Sequence, residues 1–280
     1  MIQVLTYKVA MLAIRVLPFS WSRALAELIF KTGYWVSPLR RKNIEENLAV
    51  VVGSAASRIT AKKLFPLFGR YLVEFLSPID KREVLRKSAK QRGVENMLAA
   101  YHKGRGVIVL TSHLGNWEMA AYATARLGVK ISAVFLTHAN SAVNDIFMKQ
   151  RRVEGLTVIP WKEDVTRKCI EVLKRRELLA IAGDIDFPGT GIEVELFGRK
   201  TRIARGPIVL AKRMGAPIVP GGYVWPHRNE GLLFFDELIE PDGQTEEDLA
   251  KKVVAALEKM IGSFPTQWFC FEKMWEYEPL

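Results

Sequence analysis

The sequence has little cysteine, no long uninterrupted apolar run, and none of the common nucleotide-binding or hydrolase motifs. Each absence removes a class of function. Only Cys169 and Cys270 occur in 280 residues. They are too few for a disulfide-stapled secreted fold or a thiolate zinc site, so the simplest placement is reducing and cytosol-facing. His102, His113, His138 and His227 do not fall at zinc-ligand spacings, and no metal is expected. There is no Gly-x-Ser-x-Gly elbow and no P-loop, and Gly104-Arg105-Gly106 and Gly189-Thr190-Gly191 both stop short of a dinucleotide fingerprint. Between Met1 and Pro38, Lys8, Arg15, Arg23, Glu27 and Lys31 keep interrupting the apolar sequence. The charge-free stretches are only about six or seven residues, against the roughly 18 that a spanning helix needs. A cleaved signal peptide is disfavoured by the same charges and by a poor small-residue cleavage context.

What is present is ordinary globular material. A chain 49% hydrophobic and 25% charged excludes disorder and collagen and can bury one large core. The net charge of +11 is not spread evenly. Residues 1–92 carry 17 Lys+Arg against 6 Asp+Glu, whereas residues 93–280 carry 24 of each. A basic end on a neutral body suggests an anionic partner held at that end: nucleic acid, an acidic lipid surface or an acidic carrier protein.

Within the first 38 residues, Lys8 and Arg15 share a helical azimuth, and Arg23, Glu27 and Lys31 continue at spacings of four. Leu5, Val9, Leu12, Trp21, Leu25, Leu28 and Trp35 lie around this stripe. The pattern fits helices lying in a membrane interface, and it also fits a core-packing helix hairpin broken near Pro18. Arg40, Arg41 and Lys42 follow, either as a solvated helix end or as a polybasic contact with anionic head groups. Arg58 to Arg92 reads as two further helices bounded at Pro66 and Pro78.

From Gly104 onward, short β-rich runs alternate with helical stretches. Residues 107–111, 131–137, 156–160 and 178–182 predict buried strands, with helices over 117–127, 141–152 and 165–176 between them. The alternation predicts an α/β fold with a mostly parallel central sheet flanked by helices. A hairpin is expected around Gly198, a helix over 207–214, strands over 218–224 and 232–238, and a helix to Ile261 capped by Thr245 with Asp248 at its third position. The predicted organisation is a basic helical extension, residues 1–92, packed on a single α/β body, residues 93–280.

The chemistry concentrates in Ser112-His113-Leu114-Gly115-Asn116-Trp117-Glu118, just beyond the first strand of the body. Open α/β sheets place their sites at this carboxyl end. His113 and Glu118 lie about 140° apart on a continuous helix and could not meet there. With His113 in a loop and Glu118 in the first helical turn they can, and Gly115 and Asn116 permit that geometry. A carboxylate on one imidazole nitrogen would fix the tautomer and leave the other nitrogen as a general base. A lone histidine beside a strand is otherwise commonly structural.

At these residues the chain resembles the bacterial lipid A biosynthesis (lauroyl/myristoyl) acyltransferases of the lysophospholipid acyltransferase superfamily. His113 with Glu118 carries the short signature. Arg40-Arg41, Asn47-Leu48, Asn144 to Arg151-Arg152, Ile159-Pro160, Asp184-Ile185-Asp186, Leu196-Phe197-Gly198, Gly206-Pro207, Gly215 to Pro220, Gln267-Trp268 and Trp275 follow in family order. Val51-Val52-Gly53, Cys270 and Glu272 depart from it.

The resemblance implies a membrane-associated O-acyltransferase that needs no cofactor beyond an acyl thioester, carried by acyl carrier protein or coenzyme A. The acceptor would be a hydroxyl of an anionic lipid or glycolipid, a lipid A precursor first, with ornithine lipid or phosphatidylinositol mannoside as alternatives. The location would be peripheral, on the cytoplasmic face of the inner membrane. His113 would be the base and Glu118 its orienting partner. Asn116, Arg151, Arg152, Asp184, Asp186 and Arg205 would bind substrate, with Arg151 or Arg152 holding an anionic group through its planar fork. A turn-forming role for Asp184 and Asp186, and core roles for Trp268 and Trp275, stand beside these. A nucleic-acid module is disfavoured because the basic third is rich in Leu and Trp and does not interleave cations with stacking aromatics. A catalytically silent lipid binder on the same fold remains the other alternative.

Overall fold

The computed structural model describes residues 2–187 and 189–275; Met1, Pro188 and residues 276–280 lie outside it. Five helices open the chain: α1 (Ile2–Val16), α2 (Phe19–Val36), α3 (Pro38–Val52), α4 (Ser54–Leu76) and α5 (Ile79–Ser88). The break between α1 and α2 falls at Pro18, which lacks the N–H a continuing helix would need.

Pro66, expected as a boundary, lies inside α4. An interior proline costs about 3 kcal/mol. The same helix buries Leu64, Phe65, Tyr71, Val73, Phe75 and Leu76, each large side chain contributing about 1.5–3 kcal/mol, so packing outweighs the local penalty. Gly69 lets α2 lie directly against α4, since a Cβ there would stand 2.7 Å from the Ala26 carbonyl oxygen.

The body follows in chain order as β1 (Lys90–Arg92), α6 (Val94–His102), β2 (Val107–Thr111), α7 (Trp117–Ala125), β3 (Ile131–Phe135), α8 (Ser141–Gln150), β4 (Leu156–Pro160), α9 (Val165–Lys174) and β5 (Leu178–Ala182). Then come the hairpin β6 (Ile192–Leu196) and β7 (Arg199–Ile203), α10 (Gly206–Met214), β8 (Ile218–His227), β9 (Glu230–Phe235), α11 (Glu246–Ser263) and a 3-10 turn over Pro265–Gln267. The seven-stranded sheet has the order β1-β9-β8-β2-β5-β3-β4. All neighbours are parallel except β8 with β9. The fold is therefore α/β with a mostly parallel sheet flanked by helices. The short strand β1 was not expected, because Lys90-Gln91-Arg92 is wholly exposed. It is a charged edge, of the kind that discourages pairing with another chain.

Strand β2 is central and buried on both faces, as parallel strands usually are. Its alternate residues serve two cores. Ile108 and Leu110 pack with Leu179, Val253, Leu257 and Trp268. Val107 and Val109 pack with Leu64, Phe65, Met97, Met119 and Leu233, so α4 belongs to the same core as the sheet. At the far end of the chain, Thr245 and Asp248 form the expected reciprocal cap on α11. Asn47, buried on α3, donates to the carbonyls of Cys270 and Glu272 and accepts from the Met274 amide, fixing the C-terminal segment.

Helices α1 and α2 are different. Leu5, Val9, Leu12, Val16, Trp21, Leu25, Leu28 and Trp35 are all exposed, so the side chains that a core-packing hairpin would hide face outward. Arg23 does not belong to the exposed charged stripe, because its guanidinium turns inward to Glu74. No described helix is long and apolar enough to cross a membrane.

Candidate active site

Strand β2 delivers residues 112–116 to the carboxyl end of the sheet, where α7 begins. Gly115 has φ of +61°, and a Cβ on it would stand 2.2 Å from the Tyr223 carbonyl oxygen, so only glycine lets the loop pass so close to β8. The loop is fixed by backbone bonds at each step. Phe269 N donates to His113 O at 2.7 Å, Gly115 N to Gln267 O at 2.8 Å, and Asn116 N to Tyr223 O at 2.7 Å.

The His113 imidazole projects from this loop between the rings of Trp117 and Phe187. Its Nδ1 lies 2.9 Å from Asp184 Oδ1. A carboxylate only accepts, so Nδ1 carries the proton and Nε2 of the neutral ring is a bare acceptor. Asp184 leaves the end of β5, the neighbour of β2 in the sheet, and is fully buried. Its Oδ2 accepts from the His113 amide at 3.0 Å and from the Trp268 indole at 2.9 Å.

Burial works against the imidazolium, but attraction to Asp184 and the hydrogen bond to it more than offset that, so the His113 pKa is raised above its ordinary 6.5. Burial likewise opposes ionisation of Asp184. The facing imidazole, the indole and the backbone donor outweigh it, and the Asp184 pKa is lowered from 3.8.

Glu118 was expected on His113 and is found elsewhere. Its carboxylate takes Arg151 Nε at 3.1 Å on both oxygens and Arg151 Nη2 at 2.6 Å on Oε1, and both side chains are almost wholly buried. The physical reason is reach and charge. Glu118 starts on the first turn of α7, while Arg151 caps the C-terminal end of α8 beneath it. A buried carboxylate beside a guanidinium is neutralised by it. The Arg151 guanidinium lies 3.9 Å over the Phe135 ring, and its Nη1 is buried with no hydrogen-bond partner among the described residues.

The remaining expectations divide. Arg151 lines a cavity that also includes His113, whereas Arg152 is exposed and is not part of that lining. The planar fork expected for a substrate anion is spent on Glu118 through Nε and Nη2. Asn116 is fully buried, accepts from the Met119 amide as the cap of α7 and donates to Glu74. Asp184 is bonded to His113 through both its oxygens, the ring on Oδ1 and the amide on Oδ2. Asp186 lines the cavity with Oδ2 on the Gly191 amide at 2.7 Å and a buried Oδ1 that has no partner among the described residues. Arg205 is exposed at the start of α10 and lines the same cavity, as does Arg213. Trp268 is a core side chain with a second task, as the donor to Asp184. Only the strand-end position of Asp184 hinted at the pairing in sequence; the indole partner gave no signal. Among the described residues no cluster of His, Cys, Asp and Glu could hold a metal ion.

The cavity has a volume of about 1310 Å³. It runs from Tyr7 and Ala10 on α1 and Phe30 on α2, past Phe68 and Tyr71 on α4, to His113, and onward over Val109, Ala180 and Leu233 of the sheet. Its lining is mostly apolar, with His113, Arg151, Asp186 and Arg205 among its polar residues. Cys169 also lines it, with a thiol pushed up to about 11 by burial, so it is no nucleophile at neutral pH.

Residues 2–277 match the family model described as bacterial lipid A biosynthesis acyltransferase. The chain is 25% identical to a phosphatidylinositol mannoside acyltransferase of Mycobacterium tuberculosis over 96% of this chain and 87% of that protein. It is 23% identical to one of Mycolicibacterium smegmatis over 90% of this chain and 86% of that protein.

Proposed function

The chain belongs to the bacterial lipid A biosynthesis acyltransferase family, and from that premise we propose that it moves a fatty acyl chain from a thioester to a sugar hydroxyl of a glycolipid, with His113 as general base and Asp184 as its orienting carboxylate. The observation that carries this reading is the His113–Asp184 pair at 2.9 Å, opening onto an apolar cavity that can hold an acyl chain. His113 Nε2 takes the proton of the acceptor hydroxyl, and the oxygen attacks the thioester carbonyl. The tetrahedral intermediate collapses with loss of the C–S bond, and the imidazolium returns the proton to the thiolate. The products are ester and thiol, with no covalent enzyme intermediate. Arg151, in the cavity wall, is the proposed partner of the carbonyl oxygen. Glu118 already neutralises that guanidinium, which suits it to an uncharged carbonyl better than to a phosphate. Arg205 and Arg213 supply uncompensated positive charge for an anionic group of donor or acceptor.

Acyl carrier protein is the proposed donor, since its acidic surface complements the basic N-terminal third, with coenzyme A thioester as the comparison. The acceptor class joins the lipid A precursor of the family's name with the phosphatidylinositol mannoside of the relatives' names, both sugar-bearing lipids. The exposed apolar faces of α1 and α2, flanked by Lys8, Arg15 and Arg40–Lys42, support peripheral attachment to the cytoplasmic face of the inner membrane. Substituting Trp21, Leu25 and Leu28 by Ser should abolish flotation with anionic vesicles while leaving the melting temperature unchanged; retained flotation refutes the attachment. For the reaction, thiol release from acyl thioester in the presence of glycolipid should fall by about 10²–10⁴-fold in His113→Ala. Near-wild-type release by that variant would overturn the mechanism.

A further inference from the structure

We propose that Glu74 is a positioning residue for the His113 loop and that it ties this loop to the outward-facing helix α2; the proposal rests on the reading of His113 as the base. Glu74 sits on α4 with no exposure at all, and four donors converge on it from four parts of the chain. Oε1 accepts from Arg23 Nη2 of α2 and from Arg70 Nε of α4 at 2.9 Å. Oε2 accepts from Asn116 Nδ2 at 3.0 Å and from the Trp225 indole of β8 at 3.2 Å.

The contact with Asn116 gives this hub a bearing on catalysis. The Asn116 amide is held at both ends, its nitrogen by Glu74 and its oxygen by the Met119 amide at 2.9 Å. A flipped amide would turn its NH2 toward another N–H and lose both bonds, so the carboxylate decides which way the side chain faces. With that orientation fixed, Asn116 caps α7 and its own backbone stays on Tyr223, three residues beyond His113. A misplacement of about 1 Å in a reacting group can cost about 10²-fold in rate.

The other side of the hub is α2. Among its described residues only Ser22 and Tyr34 are buried, and it presents Trp21, Leu25, Leu28 and Trp35 to the outside. Arg23 reaches inward from that helix to a carboxylate shared with the His113 loop. A shift of α2 would separate Arg23 from Glu74 and disturb the bond to Asn116, so the seating of α2 on a lipid surface is transmitted to the loop.

The test separates positioning from mere stability. Asn116→Ser keeps a good helix cap and removes only the donor to Glu74. It should retain the wild-type melting temperature within a few degrees. Its kcat should fall about tenfold with thioester KM within about twofold, and the His113 ring titration, followed by NMR of the Cε1 position, should shift from wild type. Glu74→Gln should lower kcat at least as far. If Glu74→Gln fails to fold, Asn116→Ser and Arg23→Met, which leave Arg70 on Glu74, decide the matter. Arg23→Met should lower kcat more on vesicle-borne than on detergent-dispersed acceptor. Wild-type kcat and a wild-type His113 titration in Asn116→Ser overturn the positioning role, and an equal effect in both acceptor formats for Arg23→Met overturns the link to α2. Full turnover by His113→Ala would instead remove the catalytic reading, and the NMR titration would still decide whether Glu74 holds the loop.

Discussion

Two carboxylates are buried at the carboxyl end of the sheet, and their partners are opposite in kind. Asp184 faces an imidazole whose ordinary pKa lies near neutrality, so the pair can take up and release a proton. Glu118 instead faces the Arg151 guanidinium in a buried ion pair, with Arg151 in the cavity wall. Similar burial thus gives a proton-handling pair in one case and, in the other, an ion pair that holds a guanidinium in the cavity wall. The difference lies in the base that each acid meets.

The largest effect expected from this contrast is on turnover in Asp184→Asn, where kcat should drop by about 10²–10³-fold. The base works as neutral imidazole, and its raised pKa puts the rise of kcat/KM with pH above 6.5. Without the carboxylate, burial still penalises the imidazolium, so the inflection should move downward. A pH–rate profile with an unmoved inflection would break the distinction between the two acids.

Glu118→Gln should act on stability instead. It leaves the Arg151 charge buried without its counter-ion, a loss of about 3–5 kcal/mol measured by urea denaturation. Its pH–rate inflection should stay at the wild-type position, and its loss of kcat per folded molecule should be smaller than that of Asp184→Asn. If Glu118→Gln moved the inflection as far as Asp184→Asn, Glu118 would have to be returned to the base.

The pH dependence of stability sharpens the contrast further. The lowered Asp184 pKa contributes stability that is complete above 3.8 and lost as pH falls through the folded value. The raised His113 pKa contributes stability that is complete below 6.5 and lost as pH rises through its folded value. The difference in urea midpoint between wild type and Asp184→Asn should therefore be greatest between those limits and shrink on both sides. Trp268→Phe should have the smallest effect. It removes one donor from Asp184 Oδ2 while two His113 contacts remain, so kcat should fall by less than about tenfold, equivalent to about 1.4 kcal/mol.

The readability of these features in the sequence follows the range of the interactions. The strands at 107–111, 156–160 and 178–182 match their apolar runs, and the Thr245–Asp248 cap was visible because its partners are three residues apart. His113 stood out by its place after a strand. Its partner did not, because the contact with Asp184 spans 71 residues and the nearer Glu118 offered a plausible local substitute. Glu74 gave no signal, lying near the end of α4 with donors from residues 23, 70, 116 and 225.

The sequence by itself determined the alternation of strands and helices, the break at Pro18 and the loop in which His113 sits, since periodicity, caps and breakers act within a few residues. Tertiary structure alone decided that α4 would run through Pro66, that Glu118 would pair with Arg151 and that Asp184 would meet His113. Each of these outcomes balances a local cost or preference against burial shared with distant chain. That balance exists only once the parallel sheet has brought the ends of β2 and β5 side by side.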